Sequence, residues 1–284
     1  MQSTRNILTR VFDKMEKDAL NEKNGDYVNE NDGLIYCGVC HSPKQQFKDI
    51  GGTLRKIPKN CICREKELEK ERQCWKELEH QSILSDLRKQ AFEDKLLQDQ
   101  TFEAEDGSLE HRNIGENYVR KFEEMEKENI GLLLTGPVGT GKTYLASSIA
   151  NALIEKEISV KMTNFAVILN DMMNLEINKN KYIENLNKYR LLIIDDFGME
   201  RDTPFATEHI FNVIDSRYRA NKPIILTTNL SAKQLTSPNN LKEQRIYSRL
   251  LEMATPILFT GENRRIARMK EKARKVNTIL MESR

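Results

Sequence analysis

The sequence lacks long apolar runs and carries almost no surplus charge of either sign. No stretch of its 284 residues is apolar for long enough to cross a bilayer, and the first residues lack the continuous apolar segment of a secretory signal. We therefore expect a cytoplasmic protein that uses no membrane. The 45 lysine and arginine residues nearly balance the 43 aspartate and glutamate residues, for a formal net charge of +2. This balance excludes a globally basic nucleic-acid-binding protein, so any such binding must come from local patches.

Cysteine is also scarce, with five residues, and a reducing cytoplasm disfavours disulfides between them. Cys37 and Cys40 form one close pair, followed directly by His41, and Cys61 and Cys63 form a second pair. Two such thiolate pairs suit tetrahedral Zn²⁺, because each pair can occupy one edge of the tetrahedron. We predict a structural zinc site made by the four cysteines, with His41 as the alternative to one of them.

Charge and helix-forming residues are abundant. Charged residues make up 31% of the chain beside 38% hydrophobic residues, which is typical of a real core accompanied by long solvated helices. Residues 64–100 contain no glycine or proline, and their apolar residues recur at helical intervals, which predicts a long connecting helix with at most one break. Residues 1–22 show a similar spacing and predict an amphipathic helix.

The chain is organised around a glycine-rich loop that follows an apolar stretch and opens a helix. Residues 136–143 read Gly-Pro-Val-Gly-Thr-Gly-Lys-Thr, which fits G-x-x-x-x-G-K-[ST]. In such a loop the backbone N–H groups point at phosphate oxygens, Lys142 meets the β- and γ-phosphates, and Thr143 holds Mg²⁺. A helix N-terminus at this place further favours anions. The predicted nucleotide contacts are Gly136, Pro137, Val138, Gly139, Thr140, Gly141, Lys142, Thr143 and Tyr144.

A second nucleotide signature lies at 191–196, a continuous apolar run that ends in Asp195 and Asp196. Such a run predicts a strand buried in a parallel sheet, whose carboxyl end lies beside the phosphate loop. Asp195 can then hold Mg²⁺ through water, and Asp196 is placed to orient and deprotonate the attacking water. Asn229 follows another apolar run and should arrive at the same edge of the sheet.

The remaining elements complete an alternation of strands and helices. We predict short strands at 158–162 and 257–261, and helices at 107–128, 164–175, 179–189 and 203–221. A further helix carries Arg245 and Arg249, and a basic helix covers 264–275.

Taken together, these motifs resemble an AAA+ ATPase of the DnaC/DnaI helicase-loader group, which also contains the IstB-type transposition helpers. The resemblance covers roughly residues 100–270 and rests on the order of GPVGTGKTYLA, LLIIDDFGME, DSRYRANKPIILTTNL, RIYSRL and GENRR. It implies an α/β fold: a P-loop ATPase domain with a five-stranded parallel sheet flanked by helices and without a helical lid. The implied division is an N-terminal partner-binding and zinc-binding domain at 1–65, a charged helical linker at 66–100 and the AAA+ ATPase domain at 101–284.

The resemblance also implies roles for individual residues. Asn229 would be the sensor that detects the γ-phosphate, Arg249 the finger that reaches a neighbouring subunit's ATP, and Arg265 the second sensor. Members of the wider AAA+ class generally show Asp-Glu where this chain has Asp195-Asp196, and the shorter side chain implies slow, switch-like hydrolysis.

The function implied is ATP-dependent loading of a replicative helicase onto single-stranded DNA, with ATP/ADP, Mg²⁺ and Zn²⁺ as cofactors and self-association through the ATP site. The alternative is an IstB-like ATP-dependent transposition helper that acts on target DNA. Four cations near the two helices at 164–189 are candidates for contacts with DNA phosphates, although a solvated face explains them equally well: Lys179, Lys181, Lys188 and Arg190.

Overall fold

The computed structural model describes residues 25–103, 108–174, 176–200, 203–238 and 240–281. The helix expected in residues 1–22 lies outside these ranges. The chain divides into two compact units, Met1–Gln81 and Ser82–Arg284. Among the described helices, none combines the length and apolar character required to span a membrane.

The first unit contains two small antiparallel hairpins and the start of a long helix. Strands β1 (Tyr27–Val28) and β2 (Ile35–Tyr36) form one hairpin, and β3 (Gln45–Asp49) and β4 (Leu54–Pro58) form the other. Helix α1 (Ile62–Ala91) begins directly after Cys61. Among residues 25–81, which the structure describes, the buried apolar residues are few, so a bound metal would supply stability that this core cannot. They are Leu34, Ile35, Cys37 and Cys61.

Helix α1 covers most of the helix that was predicted over 64–100 with at most one break. It ends at Ala91, and a separate 3-10 turn, Lys95–Leu97, follows it. The side chain of Asp94 caps that turn by accepting a hydrogen bond from the Leu96 N–H. An aspartate that caps a new turn stabilises a break, because it satisfies donors which a continuous helix would have paired.

The second unit alternates strands with helices. The predicted helix over 107–128 is two helices, α2 and α3, which meet at Lys121. The elements are α2 (Leu109–Arg120), α3 (Phe122–Lys127), β5 (Gly131–Thr135), α4 (Lys142–Ile154), β6 (Val160–Asn164), α5 (Phe165–Met173), α6 (Lys179–Leu186), β7 (Leu191–Phe197), α7 (Pro204–Arg219), β8 (Ile224–Thr228), α8 (Ala232–Thr236), α9 (Leu241–Met253), β9 (Ala254–Leu258) and α10 (Arg264–Met281).

Five parallel strands form one sheet in the order β6-β7-β8-β5-β9. Helices cover both faces, and successive residues of β5 enter different apolar clusters: Leu132 and Leu134 enter one, and Leu133 enters the other. Burial on both faces explains why the strands are continuously apolar in sequence. The predicted α/β class with a five-stranded parallel sheet is confirmed.

The last strand lies earlier in the chain than predicted. Strand β9 covers Ala254–Leu258 rather than 257–261, because Ala254 already pairs with Gly131 of β5. Pro256 lies in the middle of β9. A proline is tolerated there because β9 is an edge strand, whose outward N–H groups have no neighbour to pair with.

A buried arginine holds the amino-terminal ends of two strands together. Arg217 is fully buried on α7 and donates hydrogen bonds to the carbonyl oxygens of Tyr189 and Arg190, which precede β7, and of Pro223, which precedes β8. Burial lowers the pKa of Arg217 to about 10. These carbonyl contacts compensate part of the cost of a buried cation and fix how β7 and β8 enter the sheet.

Candidate functional site

A cavity of about 480 Å³ lies at the carboxyl edge of the parallel sheet. The loop after β5, the end of β7 and the residue after β8 reach it, because parallel strands all end at one edge. Of the residues predicted to act on nucleotide, the cavity is lined by Val138, Gly139, Gly141, Lys142, Thr143, Tyr144, Asp195, Asp196, Asn229 and Arg265.

The glycine-rich loop adopts a backbone that only glycine permits. At Gly136 φ is 146°, and an added Cβ would lie 2.2 Å from the Phe259 carbonyl oxygen. Gly141 is the N-cap of α4 with φ at 103°. Both values lie where an L side chain is strained. Thr140 stabilises the loop from within, since its Oγ1 donates to the Pro137 carbonyl at 2.9 Å.

Lys142 lies at the centre of the loop's polar contacts. Its Nζ donates to the carbonyl oxygens of Gly136 and Pro137, both at 2.8 Å, and to Asn229 Oδ1 at 2.9 Å. Burial lowers the pKa of Lys142, and the charges of Asp196 and Asp195 oppose this shift. The ammonium group and the Asn229 amide therefore lie side by side where the loop meets the end of β8.

A hydrogen-bonded chain joins the helix start to the acidic strand end. Thr143 Oγ1 donates to Asp195 Oδ1 at 2.9 Å, and Thr227 Oγ1 donates to the same oxygen at 2.6 Å. Burial raises the pKa of Asp195, while these two donors lower it. A threonine hydroxyl beside a carboxylate offers hard oxygen ligands of the kind Mg²⁺ prefers. Thr227 was missed by the sequence analysis, and its signal was a polar residue within an apolar strand.

Asp196 differs from its neighbour in exposure and backbone. It is exposed, its φ is 53°, and its N–H donates to Thr227 Oγ1 at 2.9 Å. The pairing of β7 with β8 is irregular between Ile194 and Phe197. Irregular strand ends of this kind redirect a side chain away from the sheet. Both aspartates line the cavity, but the Asp195 carboxylate accepts hydrogen bonds from Thr143 and Thr227 whereas Asp196 is exposed.

Three arginines from the first turns of α10 also line the cavity. Arg265 is the predicted second sensor, whereas Arg264 and Arg268 were not selected from the sequence. The Arg264 N–H donates to the Gly139 carbonyl at 3.0 Å, which attaches the start of α10 to the phosphate loop. The three side chains could have been found from their spacing, since positions i, i+1 and i+4 share one side of a helix.

Arg249 does not line the cavity of its own chain. It lies on α9, where its Nη2 is 2.8 Å from Asp215 Oδ1 and 30% of its side chain is exposed. Arg190, a candidate for DNA contact, donates instead to Glu126 and Glu123 of the same chain. Its contact with DNA stays a prediction.

The four predicted zinc ligands lie together in the first unit. Their Sγ atoms are all within 4.8 Å of one another: Cys37, Cys40, Cys61 and Cys63. Cys63 Sγ lies 3.2 Å from Cys61 Sγ, 3.4 Å from Cys37 Sγ and 3.5 Å from Cys40 Sγ. Four convergent sulfur atoms match a closed tetrahedral Zn²⁺ site.

The pKa values of the thiols in this cluster depend on the groups packed around them. Contact with Cys61, and then with Cys37, raises the pKa of Cys63 to about 12, whereas the Ser42 hydroxyl lowers the pKa of Cys40 to about 5. Thiols so close together resist simultaneous ionisation, and a divalent cation among them would relieve the repulsion. The donor set therefore fits Zn²⁺. His41 lies outside the cluster, with its Nδ1 3.3 Å from the Tyr27 hydroxyl.

Comparison with known proteins finds one matching family and two kinds of relative. The family model described as IstB-like ATP binding protein matches residues 63–272. An insertion-sequence ATP-binding protein of Mycobacterium tuberculosis is 28% identical over 138 residues, covering 47% of this chain and 55% of that protein. The replicative helicase loader DnaI of Bacillus subtilis is 28% identical over 162 residues, which cover 52% of this chain and 51% of DnaI. The match thus spans about half the length of each relative.

Among solved structures, the crystal structure of DnaI superimposes with a TM-score of 0.52 at 24% identity. That match covers 63% of this chain and 98% of the DnaI chain. At this identity the likeness concerns the fold.

Proposed function

Because the chain belongs to the IstB-like ATP-binding protein family, we propose that it is an ATP-dependent helicase loader of DNA replication. In this role it binds a replicative helicase through its N-terminal part and helps to place that helicase on single-stranded DNA. ATP binding is the property of the family, and the helicase partner is supported by the similarity to DnaI.

The observation that carries the proposed ATPase activity is the convergence of three strand ends on one cavity. In the proposal the loop N–H groups and Lys142 hold the phosphates of ATP, and Thr143 and Asp195 hold Mg²⁺. Bound there, Mg²⁺ would supply positive charge that stabilises the negative charge on the phosphate oxygens as ADP leaves. Asp196 takes the proton of the attacking water, and Asn229 orients that water.

The proposal includes self-association, with Arg249 as the residue that acts between copies. Its guanidinium is held on α9 and takes no part in the cavity of its own chain. In the proposal it completes the site of a neighbouring copy, so that ATP binding and assembly stabilise each other. Within the same chain, three arginines of α10 supply positive charge to the ATP phosphates: Arg264, Arg265 and Arg268.

The N-terminal part is proposed as the partner-binding region. We assign residues 1–65 to a zinc-binding domain, 66–100 to a helical linker and 101–284 to the ATPase domain. The family model begins at residue 63 and so does not include Cys37, Cys40 or Cys61. A separate cysteine module in front of the ATPase domain is expected of loaders of the DnaI type and favours them over transposition helpers.

The second candidate function is an ATP-dependent transposition helper. It is favoured by the insertion-sequence relative, which is as similar as DnaI, at 28% identity. Affinity capture with the full-length chain separates the two candidates, using purified replicative helicase and purified transposase as the prey, each with ATP. We expect the helicase to be retained. Retention of the transposase alone would establish the alternative.

Zinc content tests the N-terminal assignment. We expect about one Zn²⁺ per chain, since four thiolates satisfy tetrahedral coordination. Single Cys→Ser variants at the four positions should lose it, as measured by elemental analysis of the purified protein. Cys74 is exposed on α1 and outside the cluster, so Cys74→Ser is the matched control and should keep full metal. Full zinc content in Cys61→Ser or Cys63→Ser would show that the proposed set of four ligands is wrong.

A further inference from the structure

Arg249 is held by three side chains of one neighbouring helix. Its Nη2 lies 2.8 Å from Asp215 Oδ1, and its Cζ lies 4.6 Å from the centre of the Phe211 ring and 5.9 Å from that of Tyr218. All three partners belong to α7, whereas Arg249 belongs to α9. The guanidinium therefore has a defined place although 30% of its side chain is exposed.

Asp215 is the buried member of this group. Only 13% of its side chain is exposed, and its second oxygen, Oδ2, lies 2.7 Å from Nη2 of Arg219. The Arg219 side chain is 73% exposed, so the two arginines differ in setting although they share one carboxylate. A buried carboxylate retains charged partners firmly, because leaving it without them costs desolvation energy. Asp215 therefore restrains Arg249 more than a surface ion pair would.

This restraint suits an arginine that must act on a second molecule. A guanidinium has five N–H donors, so an arginine bound to a carboxylate through Nη2 can still donate to a phosphate. A flexible arginine loses rotamer freedom when it binds, and one already held by a carboxylate and an aromatic ring loses less. The same contacts keep the guanidinium on the face of α9 and α7 rather than in its own cavity.

We propose that Asp215 is the positioning residue of Arg249 and holds its guanidinium in the orientation that reaches the ATP of a neighbouring copy. The inference rests on the proposed function, in which Arg249 acts across a subunit boundary. The rings of Phe211 and Tyr218 lie beside the guanidinium, and Asp215 sets its direction.

The decisive variant is Asp215→Asn, which keeps the size of the side chain and one acceptor oxygen but removes the charge. We expect kcat for ATP hydrolysis to fall by about tenfold to a hundredfold, because small displacements of a group that acts in the transition state have effects of that size. The KM for ATP should stay within about twofold, since Asp215 does not line the nucleotide cavity. Asp215→Glu should restore part of the loss.

Arg219→Ala is the matched control. It removes the other cation bound to Asp215 and leaves the Arg249 contact in place, so kcat should stay close to wild type. The melting temperature of every variant is measured alongside, so that unfolding is not mistaken for a catalytic effect.

A double variant of Asp215 and Arg249 tests whether Asp215 acts by positioning Arg249 or only stabilises the fold. In the Arg249→Ala background, Asp215→Asn should lower kcat no further, because no finger remains to be positioned. If Asp215→Asn lowers kcat there as much as in the wild-type background, and also lowers the melting temperature, the contact between Asp215 and Arg249 is only a structural ion pair. Normal kcat in Asp215→Asn beside a large loss in Arg249→Ala would overturn this inference alone. Normal kcat in Arg249→Ala, or wild-type turnover that does not rise with protein concentration, would overturn the proposed finger as well.

Discussion

Lys142→Ala should abolish productive ATP binding, whereas Asp196→Asn should keep ATP binding and lose turnover. Lys142 is buried and its Nζ makes three hydrogen bonds at the glycine-rich loop, so alanine removes an ammonium that faces the predicted phosphate position. Removing one partner of a buried, hydrogen-bonded charge pair costs about 2–5 kcal/mol, which corresponds to a loss of affinity of at least roughly 30-fold. Asp196, by contrast, is exposed at the strand end and bonded through its backbone.

The loss of turnover in Asp196→Asn follows from its chemistry. An amide cannot take the proton of the attacking water, and a positioned general base typically contributes about 10²–10⁴-fold. The nucleotide affinity should change little, because the loop, Lys142 and Asp195 remain. Equilibrium binding of a fluorescent ATP analogue and steady-state phosphate release measure the two effects separately.

Two controls make this comparison sharper. Lys233→Ala removes an exposed lysine of α8 and should alter neither binding nor turnover. Asp196→Glu keeps a carboxylate and should retain turnover. If Asp196→Asn hydrolyses ATP at the wild-type rate, the general base is another residue. If Lys142→Ala binds ATP tightly, the loop is not the nucleotide-binding site.

Mixing two inactive variants should restore activity. Arg249→Ala keeps a sound phosphate loop, and Lys142→Ala keeps a sound finger, because these side chains lie in separate parts of the fold. Arg249→Ala alone should bind ATP nearly normally and lose on the order of 10³-fold or less in turnover, at the lower end of finger effects. At an interface that pairs one chain of each kind, the loop of the first and the finger of the second form one complete site.

The mixture is tested by titrating one variant against the other at constant total concentration, with ATP and single-stranded DNA. Phosphate release should rise above that of either variant and be highest near equal amounts. A double variant, Lys142→Ala with Arg249→Ala, mixed with Arg249→Ala is the control and should give no recovery, since neither chain has a finger. If the two single variants co-assemble by sedimentation yet never recover activity, Arg249 is a structural arginine.

Several features could be predicted from the sequence because their residues are close together in it. The phosphate loop is one uninterrupted stretch, and Asp195 and Asp196 follow their own strand directly. Continuous apolar runs identified the buried strands, since a parallel sheet covered on both faces requires them. The cysteine pairs predicted a metal site, and the four Sγ atoms converge as that spacing implies. The roles of these residues in binding and hydrolysis stay predictions.

Other features could not be predicted because they depend on residues far apart in the chain. Thr227 is one of several polar residues near the end of β8, and only the alignment of β7 with β8 places its hydroxyl on Asp195. Arg268 lines the cavity because the start of α10 is attached to the glycine-rich loop through the Arg264 N–H. The early start of β9 likewise depends on pairing with β5.

The sequence by itself determined the class of the sheet, the place of the glycine-rich loop and the acidic strand end, because strand burial and loop conformation are encoded over a few consecutive residues. What only the tertiary structure decided is which side chains surround them. Arg249 and Asp215 are far apart in the sequence, and no local pattern links them. They meet because α7 and α9 pack against the same apolar cluster on one face of the sheet, which brings a buried carboxylate beside a partly exposed guanidinium.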